Sequence, residues 1–260
     1  MSDSPVVISR EGSVATLTIN RPDKLNALNS DVLAKIGDVV AELDTDPQVR
    51  AVIVTGAGDR AFVAGADIAE LADLTPEQAH AFSVAGGRSF GAMERSAKPF
   101  IAVVNGFALG GGCELALACD VILASDRAKF GLPEVTLGVI PGFGGTQRLS
   151  RLIGPNAAKM WTMTGGIHDA ETAKRLGLAY EVYPADELMA NAQKIAATIA
   201  KRAPLAVAAC KRVIAQGAHL PLEAAVAMES EAFAECFGTE DLRTGMQAFL
   251  AKTKAEFEGR

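Results

Sequence analysis

The stretch Asn105-Gly-Phe-Ala-Leu-Gly-Gly-Gly-Cys-Glu114 decides the fold of this chain. It follows the apolar run 100–105, which predicts a buried strand, and it leads into residues 113–119, which predict a short helix. The first N–H groups of a helix have no intrahelical acceptor, so they point outward and favour negative charge. We therefore expect a strand, a glycine-dense turn over 106–112 and a helix whose start faces a ligand.

The segments on either side of this stretch alternate between strands and helices. Residues 6–9 and 14–19 predict a β-hairpin, and the apolar runs 50–55 and 121–124 predict buried strands. Apolar residues at helical spacing predict a helix from an N-cap at Ser30 to about residue 43. A second helix begins at Thr75-Pro-Glu, with a long loop over 56–67 before it. This alternation is typical of layered α/β folds.

Helical patterns dominate after about residue 145, and a soft boundary falls near 198–204. We therefore divide the chain into a core over 1–200 and a C-terminal helical region over 201–260.

Length and composition exclude several classes of protein. The chain has 260 residues, 49% of them hydrophobic and 22% charged, which is ordinary for a globular protein and unlike a disordered chain or a small disulfide scaffold. The net charge of −6 and the aromatic content of 5% argue against a nucleic-acid partner. The longest apolar stretch is too short to span a bilayer, and no targeting segment is evident. Four cysteines without a CxxC pair indicate free thiols in a reducing cytoplasm, and three scattered histidines predict no metal site.

Two more glycine loops accompany the first. Ala61-Phe-Val-Ala-Gly-Ala-Asp-Ile68 follows the strand at 50–55, and the segment 130–148 carries Glu134 ahead of four glycines. Helix caps and close packing explain most single glycine loops. Together, the loops combine backbone N–H donors with the carboxylates Glu114 and Glu134. That combination favours oxyanion stabilisation beside acid–base chemistry.

These residues resemble the crotonase superfamily, and within it the enoyl-CoA hydratases. The similarity lies in Ala64-Gly-Ala-Asp-Ile68, in Asn105 to Glu114, in Pro133-Glu134 and in Pro141-Gly-Phe-Gly-Gly-Thr-Gln-Arg148. Arg21-Pro-Asp-Lys-Leu-Asn-Ala-Leu28 and the stretch 239–249 also match, so the resemblance covers nearly the whole chain. It implies a ClpP-like α/β spiral of ββα units, followed by a C-terminal helical trimerisation region.

The resemblance also assigns roles. It implies that the N–H groups of Ala66 and Gly111 form an oxyanion hole for a thioester carbonyl. Glu114 and Glu134 would hold and activate a water that adds to Cβ of a trans-2-enoyl-CoA, with the Gly142 N–H helping to position it. The implied reaction is reversible hydration to a 3-hydroxyacyl-CoA in fatty-acid or related acyl-CoA degradation. A 3,2-enoyl-CoA isomerase or a specialised hydratase/dehydratase stays open as an alternative.

Coenzyme A would enter only as part of the substrate, without a separate cofactor. The resemblance places its binding site at these residues: Lys24, Leu25, Ala27, Ala64, Asp67, Ile68, Phe233 and Lys252. Phe233 and Lys252 match positions that reach a neighbouring subunit's CoA, although a core phenylalanine and a solvated lysine explain them equally well. Ala69 stands where many relatives carry a lysine. The expected assembly is a homotrimer or a hexamer of paired trimers, without nucleic acid or membrane.

Four competing interpretations carry less support. Gly87-Arg-Ser-Phe-Gly91 has the G-x-S-x-G pattern of serine hydrolases, but it falls in a predicted helix instead of after a strand. An RNA-binding relative would need a basic helix, and the helix beginning near Ser30 is acidic. The glycines at 110–112 lack the spacing of a dinucleotide-binding fingerprint. Cys113 has no histidine nearby in sequence and is expected to be a packed thiol. Whether Leu71, Phe82, Phe90 and Trp161 shape an acyl pocket or fill the core stays open.

Overall fold

The computed structural model describes residues 4–260, and within them ten strands form two sheets. The six-stranded sheet has the order β1-β2-β3-β5-β7-β10, and the four-stranded sheet has the order β4-β6-β8-β9. Among these described strands, only the β1–β2 and β8–β9 pairs are antiparallel. The strands are β1 Val6–Glu11, β2 Val14–Ile19, β3 Ala51–Gly56, β4 Ala61–Val63, β5 Phe100–Val104, β6 Phe107–Leu109, β7 Val121–Ser125, β8 Lys129–Gly131, β9 Ile167–Asp169 and β10 Glu181–Tyr183.

Successive strands alternate between the two sheets in a repeating order. A strand of the large sheet is followed at once by a strand of the small sheet three times, as β3–β4, β5–β6 and β7–β8. Parallel pairing of Ala61 with Phe107, and of Phe107 with Lys129, stacks these three turns in register. This arrangement confirms the spiral of ββα units. The α-helices are α1 Ser30–Thr45, α2 Ile68–Leu71, α3 Pro76–Arg95, α4 Gly111–Leu117, α5 Gly145–Ile153, α6 Pro155–Thr164, α7 Ala170–Arg175, α8 Leu188–Ala200, α9 Pro204–Gly217, α10 Leu222–Cys236 and α11 Glu240–Ala251.

The central strands are apolar throughout because both faces of the large sheet are covered. Val52, Val54 and Ala102 face the main core, to which α1 and α3 contribute, whereas Ile53 and Ile101 pack against α8. A strand buried on both faces has no alternating pattern, which explains why 51–54 and 100–104 are continuous apolar runs.

Two local predictions were wrong. The N-cap of α1 is Asn29, whose Oδ1 accepts the Val32 N–H at 3.0 Å, while the Ser30 side chain bonds Glu70 instead. The segments predicted as the loop 56–67 and the turn 106–112 contain β4 and β6, and α4 already begins inside the second. Helices dominate after residue 145, as predicted, and two short strands, β9 and β10, lie between them. Each of these strands has three residues and pairs only with other segments of the spiral, so local periodicity does not reveal it.

The chain after β10 forms helices α8 to α11. Lys211 on α9 connects this region to the spiral: its ammonium group donates to the carbonyls of Met93 and Lys98 and pairs with Asp120 at 2.8 Å. Within residues 4–260, no helix is long and apolar enough to cross a membrane. The division of the chain at residue 200 and the trimerisation role of the last helices stay predictions.

Candidate active site

The start of α4 lies tightly against the small sheet. A Cβ added at Gly112 would overlap the carbonyl oxygen of Val63 at the end of β4, so only glycine allows this approach. The preceding Gly110 has φ +51°, which turns the chain from β6 into the helix. These two glycines bring the N-terminal end of α4 next to the segment that leaves β4.

Two backbone N–H groups without acceptors lie where these segments meet. A Cβ added at Gly110 would lie 3.8 Å from the Cα of Gly65, so the two turns are in contact. Leu28 donates to the Gly65 carbonyl at 2.9 Å, and the Asp67 N–H donates to the Leu28 carbonyl at 2.7 Å, which leaves the Ala66 N–H outside this ladder. Within residues 4–260, no acceptor bonds the N–H of Ala66 or of Gly111.

Glu114 is buried one helical turn into α4, with 1% of its surface exposed. Its Oε1 accepts two N–H bonds of 2.7 Å each, from Phe143 and from Gly145 at the start of α5. Burial raises the pKa of Glu114 to about 7, and the charge of Glu134 adds to the rise. The two N–H donors and the charge of Arg148 act in the opposite direction.

Glu134 begins the 3₁₀-helix Glu134–Leu137 and lies over the turn at Gly110 that precedes α4. Its Oε1 would be 3.0 Å from a Cβ at Gly110. Its Oε2 is buried and has no hydrogen-bond partner in the described chain. Burial raises the pKa of this carboxyl as well. The structure thus brings together two carboxyl groups of raised pKa and two N–H donors without acceptors among the described residues.

The turn at 142–145 borders the candidate site on the side of α3. Gly142 is exposed, its N–H has no acceptor among the described residues, and its carbonyl accepts from the Ser83 hydroxyl on α3. The Phe143 ring is buried beside Phe82 and Phe90, at centroid distances of 5.3 and 5.5 Å. Ser83 and Phe82 therefore fix this turn against α3.

The comparisons with known proteins agree along the whole chain. The family model for enoyl-CoA hydratase/isomerase matches residues 9–260. A short-chain-enoyl-CoA hydratase of Clostridium acetobutylicum is 49% identical over 96% of both chains, and a crotonyl-CoA hydratase of Syntrophomonas wolfei is 46% identical over 99% of both. The chain belongs to the enoyl-CoA hydratase/isomerase family. The crystal structure of an enoyl-CoA hydratase from Bacillus anthracis superposes with a TM-score of 0.96, at 37% identity, over 98% of this chain and 100% of that one.

Six of the residues predicted to bind coenzyme A lie on two adjoining segments, the loop at 24–27 and the segment 64–68 after β4. The Ala64 N–H donates to the Leu25 carbonyl at 3.0 Å, which joins the early loop to the segment after β4. Asp67 is paired with Arg21 at 3.0 Å, and Arg21 also donates to the Ala27 carbonyl. The side chains of Lys24 and Ile68 are exposed at the surface of the same region. Because the carboxylate of Asp67 is already paired with Arg21, the contact of its backbone with coenzyme A stays a prediction.

Phe233 and Lys252 lie elsewhere, on the C-terminal helices. Phe233 is exposed on α10 beside Phe237, with ring centroids 5.1 Å apart, and Lys252 is the exposed C-cap of α11. Phe233 is therefore not a core residue of this chain. Their contact with a neighbouring subunit's CoA stays a prediction.

Burial decides the roles of five further side chains. Ser89 lies within α3 and donates to the Leu33 carbonyl, so the G-x-S-x-G segment forms no nucleophile turn. Burial raises the pKa of the Cys113 thiol, as expected of a packed cysteine. Phe90 is fully buried, and Trp161 is buried in a stack with His168, so both fill the core. Phe82 is partly buried against the wall of the site.

Sequence reasoning missed the residues that hold Glu114 in place. These are Phe143 and Gly145, whose backbone N–H groups donate to Glu114 once the fold brings the two segments together. A glutamate at a helix start and a glycine-rich loop about 30 residues later contain no local signal that they meet.

Proposed function

We propose that this family member is an enoyl-CoA hydratase. It adds water reversibly, in the syn sense, across the 2,3 double bond of a trans-2-enoyl-CoA and yields a 3-hydroxyacyl-CoA. One observation carries the proposal: the buried carboxyl of Glu114 and the partly buried carboxyl of Glu134, both of raised pKa, lie beside the unpaired N–H groups of Ala66 and Gly111.

The two N–H groups supply the electrophilic half of the reaction. Ala66 and Gly111 donate to the thioester carbonyl oxygen, which draws electron density from the conjugated double bond and makes Cβ electrophilic. Negative charge grows on this oxygen as water adds, and preorganised donors stabilise it; losing one good donor of this kind costs about 3–4 kcal/mol of barrier.

The two carboxyls supply the proton transfers. The two N–H bonds to Glu114 stabilise its negative charge, so Glu114 is the base that takes a proton from water as its oxygen bonds Cβ. Oε2 of Glu134 lacks a partner, which favours the protonated form, so Glu134 gives its proton to Cα. The exposed Gly142 N–H helps to orient the water. Double-bond migration needs only one proton-transfer group, so the presence of two favours hydration over isomerisation.

The substrate proposal is a short-chain enoyl-CoA held by the segments around Lys24 and Ala64. The relatives named for short-chain enoyl-CoA and crotonyl-CoA hydration support the chain length. Leu25, Ala27, Asp67 and Ile68 complete this part of the CoA site. All proton transfers come from side chains, so we propose no cofactor beyond the CoA of the substrate. A cytoplasmic location stays a prediction.

The test is absorbance of the enoyl thioester when purified protein meets crotonyl-CoA, followed by chiral analysis of the product. We expect the absorbance of the enoyl thioester to fall as 3-hydroxybutyryl-CoA forms. With the Glu134→Gln variant, we expect most of this decrease to be absent. Folded protein that leaves crotonyl-CoA and longer 2-enoyl-CoAs unchanged, while moving the double bond of a 3-enoyl-CoA, would replace hydration with isomerisation.

A further inference from the structure

We propose that the ion pair of Arg148 and Glu94 is a positioning brace that holds the Phe143–Gly145 turn, and through it Glu114, in the reactive geometry. This inference rests on the proposed hydratase function. It concerns how the base is held rather than which residue is the base.

The brace begins with a two-point contact between helices. Arg148 Nε and Nη2 on α5 each donate to one carboxylate oxygen of Glu94 on α3, both at 2.7 Å. A bidentate pair of this kind fixes the plane of the guanidinium as well as its position. The Arg148 side chain is 17% exposed and the Glu94 side chain is 42% exposed, so solvent reaches the pair from the Glu94 side.

The third donor of Arg148 reaches the turn itself. Nη1 donates to the Phe143 carbonyl at 2.6 Å, and the N–H of the same residue donates to Glu114 Oε1. Phe143 therefore connects Arg148 on one side with the base on the other. Because Glu94 fixes the guanidinium, the chain Glu94–Arg148–Phe143–Glu114 transmits position from α3 to the carboxylate.

Gly144 shows that the turn is closed over the guanidinium. Its φ is +102°, in the range that favours glycine, and a Cβ there would overlap Arg148 Nη1. A Cβ at the next residue, Gly145, would lie 3.0 Å from Glu114 Oε1. The turn thus contacts the brace and the base at consecutive residues, so a shift of Arg148 displaces both donors.

The brace also acts on charge. The positive charge of Arg148 lowers the pKa of Glu114, whereas the charge of Glu134 raises it. Burial raises the pKa of Cys113, the thiol beside Glu114 in sequence, so it is neutral near pH 7. At the other end, Cys119 lies within reach of the charges of Glu94 and Arg148. Removing Arg148 therefore moves the pKa of Glu114 upward through both the lost charge and the loosened donors.

The experiment compares Arg148→Gln, Arg148→Lys, Glu94→Gln and the double variant with wild type on crotonyl-CoA across pH. Arg151→Gln is the matched control, since Arg151 on α5 donates only to Gln147 among residues 4–260. We expect Arg148→Gln to lower kcat about 10- to 100-fold, the scale of a small misplacement of a reacting group, with KM changed less than about threefold. The acid limb of its kcat/KM profile should move to higher pH.

Two further outcomes separate a brace from general destabilisation. Arg148→Lys should restore part of kcat but not all, because lysine lacks the fork that matches Glu94. The double variant should be no slower than Arg148→Gln, because both changes break one unit. Wild-type kcat and an unmoved acid limb in Arg148→Gln would overturn the brace. If Arg148→Gln does not fold, wild-type kcat and an unmoved acid limb in Arg148→Lys and Glu94→Gln would overturn the brace. Inactive wild-type protein would instead refute the hydratase proposal itself.

Discussion

Glu114 shows how opposing forces set one residue's chemistry. Removal from water favours its protonated form, while two N–H bonds to a single oxygen favour its charge. The result is a carboxyl with a pKa of about 7, far above the ordinary 4.5 of glutamate. A group that gains and loses its proton near neutral pH suits general acid–base catalysis.

The first prediction concerns turnover. Glu114→Gln and Glu134→Gln should each lower kcat for crotonyl-CoA by about 10²–10⁴, the range of general acid–base groups, without unfolding the protein. Wild-type kcat/KM should fall as pH drops through the raised pKa of Glu114, because the protonated base cannot accept a proton from water. Steady-state assays between pH 5 and 9 measure both effects. A variant that keeps near wild-type turnover would remove its residue from the mechanism.

The second prediction concerns stability. The folded protein protonates Glu114 near pH 7, whereas the unfolded chain does so near pH 4.5. The stability from this group is therefore full below about pH 4.5 and is lost as pH rises through about 7; each pKa unit is worth 1.36 kcal/mol, so the loss is about 3 kcal/mol. Glutamine does not titrate. The Tm of Glu114→Gln should thus rise relative to wild type between pH 5 and 8.

Scanning calorimetry at both pH values measures this difference, with the exposed Glu231→Gln as the control. A Tm difference that is the same at pH 5 and pH 8 would show that Glu114 does not titrate between its unfolded and folded pKa values.

At the scale of elements, the start of α4 is closely packed. Gly110 makes the turn with its positive φ, a Cβ at Gly111 would lie 3.2 Å from the side chains of Leu28 and Phe143, and Gly112 allows contact with β4. The three glycines in succession therefore meet separate steric demands.

The third prediction compares two helical glycines. Gly112→Ala should destabilise the protein and lower kcat, because its Cβ would overlap the Val63 carbonyl and push α4 and the Gly111 N–H out of place. Gly87→Ala on α3 should stabilise the protein by about 0.5–1 kcal/mol, because nothing lies within 4 Å of its Cβ and alanine favours helix. Urea unfolding with crotonyl-CoA assays measures both. Equal effects of the two substitutions would contradict the close approach.

Elements differ in how far the sequence predicts them. The long strands β3, β5 and β7 and the helices α1 and α3 have local signals, namely apolar runs, helical spacing and the Thr75 capping box. The three-residue strands of the small sheet have none, since their pairing arises only when successive turns of the spiral stack. The candidate site divides in the same way: the resemblance implies both carboxylates and both N–H donors, whereas the contacts of Arg148 with Glu94 and Phe143 form only in the tertiary fold.

At the scale of the whole molecule, the C-terminal helices are incompletely covered. Large apolar side chains on α9 to α11 remain exposed, among them Ile214 at 73%, Leu222 at 78%, Phe249 at 82% and Leu250 at 81%. Scattered exposed hydrophobics are normal, but a helical region with this many is typical of an interface. A second or third copy of the chain would cover them and would bring Phe233 and Lys252 to the neighbour they are predicted to contact.

The fourth prediction is therefore an assembly of three or six chains. Light scattering at micromolar concentration should give three or six times the chain mass of 27.0 kDa. Phe249→Glu combined with Leu250→Glu should lower that mass, because two carboxylates would have to be buried without partners. Gln247→Glu adds a charge at an exposed polar position of α11 and should leave the mass unchanged.

A wild-type mass of one chain would contradict the assembly and leave Lys252 without a subunit whose CoA it binds. If the charged variant dissociates and its KM for crotonyl-CoA rises while kcat holds, the CoA site depends on the assembly and the chemistry belongs to each chain.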